Sequence, residues 1–373
     1  MDNTKENNQP IVLNFTQESY EVPEPMETVG KDYVSYGADN QFPQDILNMV
    51  DECSLLQTLI QTTCDYVYGD GVTGVDPEAI VNDKDETMEE VIKKVIYNYV
   101  TFGATSIQVL RNPYGEIKKL VALNTENIRL NEEEDKVLYS SKWKKYGGKY
   151  ATYEKFDPNN KQQKNSILYY KAVNSRNFYG KPSWISALKD VSILIGITDF
   201  NISSLSNGFC VSTMITLPGG IPTQDEQKKV EKNLNDKFSS AKNASKMLLC
   251  FCDGKDNAPI VDNLSYDSYT EQYQELQKTS QNNLMGAFRL SETLCGMRMP
   301  DTSLFTKENY TQSFDLYNKT VVKPIQKVIK QIFKKMGFMI DFLPFTIEWS
   351  DLPEEENTNT EGVLNNEKNT LPE

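Results

Sequence analysis

The chain has 373 residues, 38% hydrophobic and 25% charged, which supplies enough apolar material for packed cores and excludes wholesale disorder. It contains no histidine, which removes Ser-His-Asp and Cys-His nucleophile systems, His-ligated zinc and His-based nuclease chemistry. A formal charge of −14 argues against a sticky basic nucleic-acid binder, and no apolar run approaches the ~20 residues of a membrane span.

Residues 1–38 are polar and irregular, lack the basic-then-apolar pattern of a signal peptide, and are expected as a flexible arm. Asp39-Asn40 then opens a helix with Pro43 in its first turn. Leu55, Leu56, Leu59, Ile60, Cys64 and Val67 carry helical spacing up to the breakers Gly69-Asp70-Gly71, after which 72–85 read as loop. A second amphipathic helix is expected from near Glu86, with Val91, Val95, Ile96, Tyr99 and Val100 on one side, stopping at Gly103. From 104 to 172, short β-branched and aromatic runs alternate with turn signals such as Asn112-Pro113-Tyr114-Gly115 and Gly147-Gly148. That texture predicts an antiparallel sheet of hairpins, and with the helices one α+β domain over 39–181.

A long helix is expected over 182–206, with Pro182 in its first turn and Asn207-Gly208 at its end. Trp184, Leu188, Val191, Ile195, Phe200 and Leu205 cover more than one face, so this helix must pack against several neighbours, in its own subunit or the next. Residues 209–264 form a small module: a strand over 211–217, a helix opened by the capping box Thr223-x-x-Glu226, and a second strand over 246–252. Helix returns over 265–290 with a thin apolar stripe of Tyr269, Tyr273, Leu276, Leu284 and Phe288. Its remaining surface carries Gln272, Gln274, Gln277, Gln281, Asn282 and Asn283, and a helix so polar yet so low in charge bridges solvent or lines something wet. Residues 291–306 read as a loop. The last helix, over 307–336, has the stripe Val321, Ile325, Val328, Ile329, Ile332 and Phe333 and an expected kink at Pro324, followed by strand texture over 338–349. The acidic residues 351–373 are expected to be disordered.

Candidate chemistry is sparse. The six cysteines, in a chain without a signal pattern, read as free thiols of a reducing compartment, and Cys250-x-Cys252 as two thiols on one face of a strand. The carboxylate runs Glu132-Glu133-Glu134-Asp135 and Glu354-Glu355-Glu356 fall in expected loops, where solvated charge accounts for them. Asp83 and Asp85 lack the glycine and terminal glutamate of a calcium loop. No phosphate-binding glycine motif and no nucleophile elbow is present, so the reading has no catalytic residue, no metal and no cofactor. Lys319, Lys323, Lys327, Lys330, Lys334 and Lys335 cluster on the last helix; they form either an ordinary solvated face or a face toward phosphates or an acidic neighbour.

Four stretches in a fixed order carry a family resemblance: Asp39-Asn40-Gln41-Phe42-Pro43 leading to Tyr66-Val67-Tyr68-Gly69-Asp70-Gly71; Phe178-Tyr179-Gly180-Lys181-Pro182-Ser183-Trp184; Asn243-Ala244-Ser245-Lys246-Met247; and Ala287-Phe288-Arg289-Leu290-Ser291. Their collinear arrangement resembles the portal proteins of tailed bacteriophages, with Ser291-Glu292 standing where that family usually has two prolines. The resemblance implies a portal-type α+β fold and a ring, usually of twelve copies, around a DNA channel. In that fold 39–181 and 307–350 are the wing, 182–208 and 265–290 the stem helices, 209–264 the clip and 291–306 the tunnel loop.

It further implies that Arg298, Met299, Asp301 and Ser303 touch DNA, that Gln274, Gln277, Lys278 and Gln281 line the channel, and that Asn243, Lys246, Asp253 and Lys255 meet docking proteins. The implied partners are further copies of the chain, double-stranded DNA, the terminase large subunit, head–tail connector or adaptor proteins and the major capsid protein. No membrane is implied; the setting is a capsid vertex of a virion assembled in the bacterial cytoplasm. An acidic, glutamine-rich lining suits a conduit, because phosphate contacts multiplied around a ring would grip DNA and stall it. The competing class is a carboxylate-dependent hydrolase with an inserted α/β module, which requires two buried acids in one cleft.

Overall fold

The computed structural model describes residues 22–24, 26–30, 32–143, 149–172, 178–206, 214–218, 248–252, 266–296 and 307–347, with side chains outside 203–272. The expected helices near the start form as α1 (Phe42–Glu52) and α2 (Ser54–Tyr68), broken at Cys53. No side chain caps α1; instead Pro43 occupies the first turn, where no N–H is needed, and the Asp39 carboxylate accepts the Gln41 N–H at 2.9 Å. α3 (Met88–Phe102) starts at a full capping box, Thr87 with Glu90, and ends at Gly103 in the left-handed region (φ 67°). A Cβ on Gly103 would sit 1.9 Å from the Lys181 carbonyl oxygen, so only glycine lets Lys181 and Pro182 cross here.

Six strands follow in the spatial order β3-β2-β7-β6-β5-β4: β2 (Ala104–Arg111), β3 (Ile117–Leu123), β4 (Ile128–Leu130), β5 (Lys136–Tyr139), β6 (Ala151–Lys155) and β7 (Asn165–Lys171). The expected hairpins appear as β2–β3, β4–β5 and β5–β6. β7 departs from that pattern: it pairs antiparallel with β2 and parallel with β6. The connection over 156–164 is shorter than a usual crossover, and the parallel contact is limited to Glu154↔Ser166 and Lys155↔Ile167. Buried Ile167 and Leu168 explain why β7 takes a central place.

Several further expectations are corrected. Described residues of the stretch to residue 38 are held against the domain: the Val34 N–H donates to the Leu130 carbonyl at 2.9 Å, and Val34 and Tyr36 are buried. Within 72–85 a short β1 (Gly71–Thr73) pairs antiparallel with β10 (Asp341–Leu343), which ties the end of the described chain to α2 and shortens the expected last strand. α4 (Leu188–Ser206) begins six residues after Pro182, behind a 3-10 turn over Ile185–Ala187. The last helix divides into α6 (Lys307–Tyr317), a π-helical turn (Asn318–Val322) and α7 (Lys323–Lys335). Pro324 has no N–H for the Thr320 carbonyl, and the widened turn before it takes the place of the expected kink.

After α7, the Gly337 N–H donates to Lys334 and the Phe338 N–H to Phe333, a Schellman ending. The remaining elements are β8 (Met214–Pro218), β9 (Leu248–Cys252) and α5 (Tyr266–Phe288). One continuous apolar core joins α1–α3, the sheet, the start of α4, the end of α5 and α6–α7. Among the described residues no helix is long and apolar enough to cross a membrane.

Asp45, in the first turn of α1, has its charge favoured by the helix dipole, but burial and the neighbouring Asp39 push its carboxyl up to about 6. A folded pKa above the unfolded one means that the ionised form disfavours folding, so stability falls as pH rises from the ordinary carboxylate range through 6. Asp45→Asn is therefore expected to stabilise the chain at pH 8, by up to about 1 kcal/mol after solvent screening, and to do nothing near pH 3. Thermal melts at both pH values check this; an equal gain at each would contradict it.

Candidate functional site

The first two sequence motifs meet where the sheet hands the chain to α4. Tyr36 stacks on Tyr179, with ring centroids 4.2 Å apart and planes 7° from parallel. The Tyr36 hydroxyl donates to the Gly180 carbonyl at 2.6 Å, while the Glu27 carboxylate accepts the Phe178 and Tyr179 N–H groups at 2.7 and 2.9 Å. Gly180 lies so close to α3 that a Cβ would meet the Gly103 oxygen at 2.5 Å.

Beneath this stack Arg129 is fully buried. Asn40 holds it twice, accepting Nε on its Oδ1 at 2.6 Å and Nη2 on its carbonyl at 2.7 Å; the Glu126 and Ile128 carbonyls accept Nη1 at 2.9 and 2.7 Å. Burial lowers the guanidinium pKa to about 10, still charged at neutral pH. Four carbonyl oxygens and the faces of Tyr36 and Trp143 thus hold its charge. Trp184, also fully buried, donates its indole N–H to the Val100 carbonyl at 3.1 Å and stacks on Phe288.

From this anchor α4 and α5 run antiparallel. Trp184 meets Phe288, Asn283 Nδ2 donates to Asp190 Oδ1 at 3.0 Å, and Phe200 stacks on Tyr273 at 4.9 Å. At the anchored end Leu188, Val191, Ile195, Leu284, Met285 and Phe288 are buried. Toward the other end Phe200 is 44% exposed, Ile202 57%, Tyr273 37% and Leu276 42%. The pair is thus buried at its base and apolar yet exposed toward its other end.

Of the residues predicted to line a channel, Gln274 and Lys278 are exposed, whereas Gln277 and Gln281 are half-buried beside Leu284 and Phe288. The exposed ridge runs Gln274, Lys278, Asn282 at a spacing of four, flanked by Glu275 and Thr279. Ser280, Leu284 and Phe288, buried at every fourth residue, leave Glu275 and Thr279 on the exposed side beside that ridge.

Arg298, Met299, Asp301 and Ser303, and likewise Asn243, Lys246, Asp253 and Lys255, lie outside the described residues. The loop expected over 291–306 begins as a packed turn, with Leu294 buried and its carbonyl accepting the Tyr66 hydroxyl at 2.9 Å. Between α4 and α5 in the chain, β8 and β9 pair in parallel from Met214↔Leu248 to Pro218↔Cys252, and β9 contains both Cys250 and Cys252. Parallel pairing requires a crossover connection, as a strand–helix–strand module has; the helix expected from Thr223 lies outside the described residues.

A cavity of about 460 Å³ opens between α2, α3 and the end of β3, lined by Cys64, Asp65, Lys93, Tyr97 and Glu126 among others. Burial raises the Glu126 carboxyl. Asp45, the other raised carboxyl among the described residues, does not line this cavity. Asp65, which lines the cavity with Glu126, is exposed.

No curated protein sequence matches the chain. Solved structures that share its fold include three that are each 14% identical. The virion of a native gene transfer agent (GTA) particle aligns over 85% of this chain and 86% of that chain, with a TM-score of 0.53. The neck of the native GTA particle, computed with C12 symmetry, covers 88% of each chain at a TM-score of 0.52. The neck of the empty GTA particle, computed with C6 symmetry, covers 84% and 86% at 0.51. The family described as phage portal protein matches residues 80–360, a span that contains α3, the sheet, the α4–α5 pair with its inserted strands, and α6–α7. With that span matched and the portal-type fold in place, the chain belongs to the phage portal protein family.

Proposed function

We propose that the chain is the portal subunit of a phage-like particle: a non-enzymatic protein that forms a ring of twelve copies at one capsid vertex and passes double-stranded DNA through its bore. The observation that carries this reading is the α4–α5 pair, anchored in the wing by Trp184 and Phe288, with an apolar tip and a polar ridge. Copies set side by side bury the tips, and the ridges then face the axis. The C12 symmetry applied to the GTA neck supports the stoichiometry.

In this ring Gln274, Lys278 and Asn282 line the bore, with Glu275 and Thr279 beside them, and Gln277 and Gln281 sit nearer the subunit's own core. The loop carrying Arg298, Met299, Asp301 and Ser303 touches DNA. The module with Asn243, Lys246, Asp253 and Lys255 meets the terminase large subunit during packaging and connector proteins afterwards, and the wing meets the major capsid protein. Assembly takes place in the cytoplasm of the bacterial host.

Native mass spectrometry of the purified chain should give one species near twelve times 42.6 kDa. Arg298→Ala should leave that mass unchanged and alter DNA packaging or retention. A chain that stays at 42.6 kDa in all conditions contradicts the ring, and an Arg298→Ala chain that fails to assemble places Arg298 in an interface instead.

A further inference from the structure

The last helix carries a charge pattern that a portal role leaves unused. Lys319, Lys323, Lys327, Lys330 and Lys334 follow one another at helical spacings of three or four, forming one stripe along the π turn and α7. Lys330 pairs with Asp341. Lys319, Lys323, Lys327 and Lys334 are exposed, and no ion pair joins them to a carboxylate among the described residues. Like charges at such spacing repel one another, in a chain whose net charge of −14 supplies acids in excess.

Lys323, Lys327 and Lys330 line a groove of about 390 Å³ whose other residues include Tyr66, Phe314, Pro344 and Phe345. The described chain leaves from this same groove. The Phe345 ring packs against Tyr66 at 5.0 Å, and the Thr346 N–H donates to Asp70 Oδ2 at 3.1 Å. Past Ile347 the sequence carries Glu348, Asp351, Glu354, Glu355, Glu356, Glu361 and Glu367 before its only basic residue, Lys368. An extended chain covers ~3.3–3.6 Å per residue, so Glu356 can reach ~30 Å from Ile347. The lysine stripe is ~22 Å long at 1.5 Å per residue.

We propose that the acidic segment 351–361 docks along the lysine stripe of its own chain, with its carboxylates facing Lys323, Lys327 and Lys334. Charge complementarity and the tether support it together: a segment attached at the groove acts at an effective concentration in the millimolar range, so individually weak ion pairs suffice. Docked there, it keeps nucleic-acid phosphates off the lysine stripe. This inference does not depend on the portal reading, since it uses only charge and connectivity.

The test uses the full chain. A water-soluble carbodiimide, which joins a carboxylate to an amine in contact with it, should link Glu354, Glu355 or Glu356 to Lys323 or Lys327, and in isotope-mixed preparations the linked peptides should come from one chain. Acetylation of Lys323 and Lys327 should rise about fivefold in the triple variant Glu354→Gln, Glu355→Gln, Glu356→Gln, or in about 0.5 M salt, while exposed Lys161 does not change. Three outcomes overturn the proposal: equal acetylation with and without the tail charges, links that join two isotopes, or lysines shielded only when a short DNA duplex is added.

Discussion

Replacing Asn40 with Ala is expected to destabilise the folded chain by about 3–5 kcal/mol, the range for a buried charge stripped of a partner. One side-chain oxygen on Asn40 satisfies both the Tyr36 N–H at 3.0 Å and Arg129 Nε at 2.6 Å. Its removal leaves two buried donors without that acceptor, one of them on a guanidinium with no carboxylate partner among the described residues. Asn40 also holds a left-handed backbone, φ 64°, which asparagine tolerates and alanine does not.

Asn40→Gly separates the two causes: it keeps the backbone at ease and loses only the amide, so about 2–3 kcal/mol of the loss should remain. Urea unfolding of the three proteins checks this. A loss below about 1 kcal/mol for Asn40→Ala would mean that the carbonyl oxygens alone hold Arg129. Because the Tyr36–Tyr179 stack rests on the same network, the damaged variant should also loosen the start of α4.

The double change Ile202→Glu with Leu276→Glu is expected to abolish ring assembly while leaving the subunit folded. Both side chains are exposed in the single chain, and neither takes part in the Phe200–Tyr273 stack, so the subunit's melting temperature should hardly move. In the proposed ring, each apolar side chain of this size buried against a neighbour would contribute about 1.5–3 kcal/mol. The variant removes two such contributions at every interface and places like charges there. Closed symmetry repeats the loss around the ring, which turns a moderate local cost into complete dissociation. Native mass spectrometry distinguishes the outcomes: the single-subunit mass is expected, and an undiminished ring would show that the tips lie away from subunit contacts.

Much of the architecture was legible in the sequence because local signals agreed with the final packing. The helices at 42–68 and 88–102, the stop at Gly103, the β-rich stretch and the polar helix at 266–288 all follow from periodicity and breakers. What escaped was set by long-range pairing. Nothing local in Gly71–Thr73 announces that its partner is Asp341–Leu343, nor in β7 that it belongs between β2 and β6. Pro182 looked like a helix start, but its carbonyl closes a turn onto Ile185, and the close approach of Gly103 to Lys181 delays α4 to Leu188.

The motif around Asn40 marked the family without disclosing its physical reason, because Arg129 lies far along the chain and reads as an ordinary strand residue. On the polar helix, composition identified the element but not the phase of its exposed face. Gln277 and Gln281 lie on the more buried flank, while Glu275 and Thr279 lie on the exposed one.

The most direct measurement is an electron cryomicroscopy reconstruction of the purified particle, without imposed symmetry. The expected image is a closed ring with an open axial bore, α4 and α5 paired in every subunit, neighbouring tips in contact through Ile202 and Leu276, and the Gln274–Lys278–Asn282 ridge turned to the axis. A solitary subunit, or a ring whose bore is lined by the sheet with the helix pair on the outer rim, would contradict it.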